Sequence, residues 1–205
     1  MQYNILPTQE TINLTMESLK SKGYIPHFID NSQAVLEKIK DLIPEGASVM
    51  NGSSKTLEQV GFIEYLKSGV HKWDNLHEKV LMEKDPKKQA ELRRQSVLSD
   101  FYLGSVHALS QNGEILIASN TGSQLPHIVF TSPNLIFVVG AQKIVPSLQE
   151  AYIRLNSYVI PLEDERMKKA YNMNTFPSKI LVLNREPEFV GRKVHVILVN
   201  EILGF

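Results

Sequence analysis

The sequence predicts an α/β fold with a mostly parallel sheet and flanking helices. Helical and strand patterns alternate from Glu10 to Leu66, as they do when helices connect parallel strands. Short continuous apolar runs such as Leu135 to Val139, bounded by Pro133 and Gly140, read as strands covered on both faces. A length of 205 residues with 42% hydrophobic composition suits one domain with a sizeable core.

The elements follow in order. Ile12, Leu14, Met16 and Leu19 recur at helical spacing from Glu10 to Lys22, and Gly23 stands where a helix C-cap belongs. Residues 1–23 are expected as an N-terminal helical extension of the single domain 1–205. Tyr24 to Ile29 reads as a short strand interrupted by Pro26. Ser32 to Leu42 places Val35, Leu36, Ile39 and Leu42 on one helix face. Pro44-Glu45-Gly46 signals a turn, Ala47 to Met50 a buried strand, and Thr56 to Leu66 a further helix. His77 to Arg94 is rich in charge and poor in apolar positions, the pattern of a solvated helix or a mobile connection. Phe101 to Ser110 and Glu114 to Ser119 read as two strands joined through Gln111-Asn112-Gly113. Pro146 to Leu155 carries a helix face, and Lys179 to Leu183 and Val194 to Val199 are late strands. Residues 161–205 are expected to complete the fold.

Composition removes several functions. Lysine and arginine total 22 and aspartate and glutamate 22, so the net charge of zero gives no general attraction to nucleic acid or anionic membrane. There is no cysteine, hence no disulfide, thiol nucleophile or Cys-ligated metal cluster on this chain. The segment Met1 to Gly23 lacks the basic-then-apolar run of a signal peptide, and no apolar stretch approaches the roughly 18 residues of a membrane span. A soluble, cytoplasmic protein is the expectation.

Three loops hold residues suited to chemistry. Asn51-Gly52-Ser53-Ser54-Lys55-Thr56 lies between a strand and a helix. It reads either as an anion cradle of backbone amides and hydroxyls or as an ordinary Ser/Thr cap beside a glycine turn. It lacks the first glycine of a Walker A loop. Ser119-Asn120-Thr121-Gly122-Ser123-Gln124 follows a strand and would either line a pocket or simply end that strand. Gly140-Ala141-Gln142-Lys143-Ile144-Val145-Pro146 places Lys143 either toward an anionic ligand or in solvent at the start of a helix. Six histidines show no close metal-ligand spacing; His107 and His127 stand nearest the candidate loops. Trp73 reads as packing, and Glu163-Asp164-Glu165-Arg166 as a solvated helix face.

Four stretches, GASVMNGSSKTLEQVGFIEYL, LSDFYLGSVHALSQNGEILIASNTGS, NLIFVVGAQKIVPSLQEAYIRL and VHVILVNEILGF, together resemble the lactate-utilisation (LUD) domain family, the group that includes lactate utilisation protein C. The resemblance implies a fold similar to the NagB/RpiA/CoA-transferase-like superfamily. It also implies a part in oxidising L-lactate to pyruvate, beside partner subunits that carry iron–sulfur clusters. Many relatives with this type of C-terminal half carry a cysteine-rich segment before the last strands, whereas the corresponding stretch here, roughly Pro161 to Arg185, has none. Gln111 stands where relatives often have an acid, and an amide cannot form the acyl anhydride of transferase chemistry. Ser123-Gln124 replaces an Asn-Arg pair, removing a fork suited to a carboxylate.

The expected role is therefore an accessory subunit or small-anion-binding component of lactate or related organic-acid metabolism. The alternatives are an independent enzyme on a sugar-phosphate or acyl-CoA substrate, or a non-catalytic scaffold for redox partners. The expected binding site takes Asn51, Gly52, Ser53, Ser54 and Thr56 as the cradle. Asn112 and Gly113 with Asn120, Thr121, Gly122 and Ser123 form the opposite wall, and Gln142 and Lys143 the rim. Glu114 is the one carboxylate near enough to be a catalytic candidate. No metal and no cofactor are expected on this chain, and iron–sulfur clusters are expected in partners alone.

Overall fold

The computed structural model describes residues 2–205, with Tyr171 described through its backbone. In chain order the elements begin with α1 (Gln9–Ser21), β1 (Ile25–Ile29), α2 (Ser32–Leu42), β2 (Ser48–Asn51), α3 (Lys55–Gln59) and α4 (Phe62–Lys67). The short β3 (Asp74–Asn75), α5 (Leu76–Met82) and α6 (Pro86–Gln95) lead to β4 (Phe101–Gly104), β5 (Ala108–Ser110) and β6 (Ile115–Ser119). Then come β7 (Asn134–Gly140), β8 (Ile144–Val145), α7 (Leu148–Arg154), α8 (Ile160–Tyr171), β9 (Lys179–Leu183) and β10 (Lys193–Val199).

Six strands form one sheet in the order β1-β10-β7-β4-β2-β3, every neighbouring pair parallel. Pro26, with no N–H to give a ladder, sits in the edge strand β1. A second sheet, β8-β5-β6-β9, is mixed. The strand pleat sorts the core into layers. In β7, Ile136 and Val138 face α2, α3 and α4, while Leu135, Phe137 and Val139 face α1 and the second sheet. In β6, Ile115 and Ile117 meet the first sheet and Leu116 turns to α7 and the helical turn after it. Helices, sheet, sheet and helices thus stack in that order. Leu19 of α1 and Tyr24 just after it are buried in the layer between the sheets.

Three departures from the sequence reading bear on the site. Phe101 to Ser110 is two strands, β4 in the large sheet and β5 in the small one, with the chain crossing between layers at Ser105-Val106-His107. The helix expected from Thr56 to Leu66 breaks at Gly61, whose φ of 77° is left-handed. The expected helix Pro146 to Leu155 starts at Leu148 and runs on through a wide π-turn, Leu155–Val159, into α8. Pro161, which has no amide to donate to the preceding turn, explains the widening. The charged stretch after His77 forms α5 and α6, and α6 buries no residue. Trp73 packs against Phe62 and donates its indole N–H to the Ile43 carbonyl at 3.2 Å.

Candidate functional site

The loops after β2, β4, β6 and β7 converge at the carboxyl ends of the large sheet's strands, the usual ligand position in open α/β sheets. They enclose a cleft of ≈ 290 Å³, closed on its far side by α8 and residues 175–177. Its size falls near the lower end of the roughly 300–1,000 Å³ typical of small-molecule sites.

Lys143 forms the floor. A tight helical turn, Ala141–Lys143, follows β7 and directs the side chain inward, leaving the residue 3% exposed. Its ammonium donates to Thr56 Oγ1, Ser105 Oγ and the Val106 carbonyl, each at 3.1 Å. All three acceptors are neutral, and among the described residues no carboxylate forms an ion pair with it. Burial, with the positive charge of Arg154 second, pushes the lysine down to about 7. His107 lies beside it and accepts the Ala118 amide on Nδ1 at 3.0 Å. Burial, then the charges of Lys143 and Arg154, hold that imidazole down at about 3, so it is neutral at physiological pH.

The walls carry charge in matched pairs. Glu58 meets Lys55 at 3.1 Å, and Glu163 accepts two hydrogen bonds of 2.7 Å from Arg166. The charged side chains lining the cleft are Lys55, Glu58, Lys143, Glu163 and Arg166, and of the cationic ones Lys143 has no acidic side chain within 4 Å among the described residues. Ser54 is largely spent on capping α3, accepting from the Leu57 amide at 3.3 Å. Gly204 closes over the floor: an added Cβ would meet Thr56 Oγ1 and lie 3.1 Å from Lys143 Nζ.

The structure brings Gly52, Ser53, Ser54, Thr56, Asn120, Thr121, Ser123 and Lys143 to this cleft. Lys143 is its floor rather than its rim. Asn51 lies below the cleft in an adjoining chamber, and Gly122 packs its α-carbon against Lys179. Gln142 faces away and donates to the Leu203 carbonyl at 2.8 Å, tethering the tail that carries Gly204. Asn112, Gly113 and Glu114 stand at the opposite end of the β5–β6 hairpin. The five residues of β6 separate them from Asn120 by about 17 Å at 3.4 Å per residue. Gly113 abuts Ser18 of α1, and Glu114 pairs with Lys22 at 2.8 Å and accepts from Ser110. Burial raises that carboxyl, but Lys22 and Ser110 outweigh it and hold it below its ordinary range.

A family model described as the LUD domain matches residues 12–199. The chain belongs to the LUD-domain family. Its structure resembles the crystal structure of a DUF162 family protein from Deinococcus radiodurans, with a TM-score of 0.57 and 15% identity. That likeness covers 96% of this chain and 100% of the other, and at this identity it bears on the fold. Comparison with curated proteins gives no match.

In this LUD domain, sequence reasoning missed Ser105 and the Glu163–Arg166 pair as cleft-lining residues, and it noted His107 only as standing near the candidate loops. Glu163 and Arg166 looked like a solvated face because the α7–α8 helix turns only one edge to the cleft. Arg154 is also part of the surroundings. It is fully buried, donates to the His107 carbonyl and lies under the rings of Tyr3 and Tyr158, at 5.7 and 5.3 Å. Among the described residues no group of three or more His, Cys, Asp or Glu side chains is placed to hold a metal ion. Among the described residues no helix is long and apolar enough to cross a membrane.

Proposed function

We propose that this LUD-domain protein binds a small organic acid in the Lys143 cleft and serves lactate or related organic-acid metabolism. The observation that carries the reading is the buried Lys143 ammonium without a counter-ion. A cation removed from water is costly unless an opposite charge meets it. The other charged side chains on the cleft are paired with one another, so an entering carboxylate would meet Lys143. The hydroxyls of Thr56 and Ser105 accept from the lysine and donate to the Leu203 and Val138 carbonyls, which fixes the ammonium at the foot of the cleft.

The acid–base linkage follows. Near neutral pH the lysine is only partly protonated, and an anion draws it to the charged form, so binding takes up protons. Affinity falls as pH rises above about 7, approaching tenfold per unit. With no cysteine, this chain carries no Cys-ligated cluster for the electrons of lactate oxidation. An accessory role beside iron–sulfur partner subunits accords with that composition.

Thermal stabilisation by L-lactate, pyruvate, a sugar phosphate and a CoA ester tests the reading. A ligand at 100 times its Kd stabilises the fold by about 2.7 kcal/mol. The expected result is a shift with a small carboxylate that Lys143→Met abolishes. No shift with any of the four overturns the binding site and favours a scaffold.

A further inference from the structure

Below the edge of the cleft formed by Gly52 and Gln124 lies a second chamber of ≈ 130 Å³. It shares Gly52, Ser53, Ser123 and Gln124 with the cleft, so the two spaces meet along that edge. The partition is thin. Tyr102 donates its hydroxyl to Gln124 Oε1 at 3.2 Å, and a Cβ on Gly52 would stand 2.6 Å from that hydroxyl. Ser53 and Ser123 are exposed on the shared edge, leaving a polar route across it.

Among the described residues, three polar groups of the chamber are left without a partner by the fold. Asn51 is 3% exposed; its Nδ2 donates to the Gly52 carbonyl at 3.2 Å, but its buried Oδ1 receives no hydrogen bond. An orphaned acceptor of this kind costs about 1–3 kcal/mol unless a donor arrives. His77 donates Nδ1–H to the Asn51 carbonyl at 2.9 Å, and its Nε2 makes no hydrogen bond among the described residues. Arg93, exposed on the chamber's lining, forms no ion pair among the described residues, while its neighbour Arg94 pairs with Glu91 at 2.9 Å. The chamber's lining includes no carboxylate. It therefore repeats the arrangement of the cleft: one cation without an acid to meet it.

We infer that the ligand is an elongated, two-ended acid. One anionic end meets Lys143, the other reaches over Ser53 and Ser123 to Arg93, and a hydroxyl or N–H between them donates to Asn51 Oδ1. The inference rests on the anion-binding reading of the cleft and deepens it, because a three-carbon monoacid fills the Lys143 end alone. The second anionic group is a carboxylate or a phosphate; Arg93 offers the same planar fork to either.

Calorimetric titration of the full chain with L-lactate, L-malate and 3-phosphoglycerate decides the matter. Malate or 3-phosphoglycerate should bind at least about tenfold more tightly than lactate, the worth of one charge-assisted hydrogen bond. Which of the two leads assigns the second group as carboxylate or phosphate. Arg93→Gln, on an exposed position that the fold does not need, should erase that advantage and leave lactate affinity unchanged. Lys143→Met should weaken all three. Equal affinities, or an advantage that survives Arg93→Gln, overturn the two-ended ligand while leaving the Lys143 site standing. Failure of all three acids to bind overturns both.

Discussion

Replacing Lys143 with Met should flatten the rise of folding stability with pH above neutrality. In the folded chain the lysine titrates at about 7, against 10.5 when exposed, because burial and then Arg154 disfavour its charge. Between those values the unfolded chain holds a proton that the folded chain has released. More protons on the unfolded side mean that stability increases with pH in this window. The slope approaches about 1.4 kcal/mol per pH unit, and the full deficit, complete below the folded value, is about 5 kcal/mol. Methionine does not titrate. From pH 7.5 to 9.5 the stability of the wild type should therefore gain about 2.5 kcal/mol relative to Lys143→Met. Urea denaturation of both proteins at half-unit steps, with linear extrapolation to water, measures the difference. Parallel profiles would refute the reasoning: they would mean that Lys143 keeps its proton throughout, and that the cleft floor is more strongly solvating than three neutral acceptors allow.

Three other outcomes follow from the same contacts. Arg154→Met removes the second cause of the lysine's low value, so the pH at which the wild-type slope begins should move upward, as read in the same urea titration. Arg192 caps the π-turn His127–Thr131, donating to the carbonyls of His127, Ile128, Val129 and Ser132 at 2.7–3.3 Å. A lysine has three donors and no fork, so Arg192→Lys should cost about 2–3 kcal/mol in urea denaturation, and a loss below about 0.5 kcal/mol would show the cap to be idle. Gly204→Ala meets a φ of +65° and places its Cβ against Thr56 and Lys143; it should lower stability by about 1–3 kcal/mol and weaken any acid that binds the cleft.

Local patterns made much of the fold legible. Helix α2 occupies Ser32–Leu42 and β9 Lys179–Leu183, as their periodicity and flanking turn residues indicate. What the sequence conceals is layering. In β4 and β5 every residue is buried, so no polar–apolar alternation marks where one sheet ends and the other begins. The crossing falls at Ser105-Val106-His107, small or amphipathic residues that read equally well as continuing strand. Gly61 hides within an otherwise regular helical period, and only its left-handed backbone shows that the helix stops and restarts there.

The site was legible to the extent that it obeys the strand-end rule. The loops beginning at Asn51, Asn120 and Gly140 each follow a strand's carboxyl end, and their residues meet at the cleft and its floor. The turn at Asn112-Gly113 offers the same residue types but joins an antiparallel pair at the other end, where it meets α1 instead. Residue chemistry alone does not separate these cases; strand direction does. Nor does a lysine two residues beyond Ala141 announce its burial, since lysines are seldom enclosed. Its enclosure depends on distant partners, Thr56, Ser105 and Gly204, each on a different segment. A chain whose charges sum to zero gains no anion affinity from its overall field. Any such affinity must arise from local imbalance, of the kind that Lys143 presents on the cleft and Arg93 on the adjoining chamber.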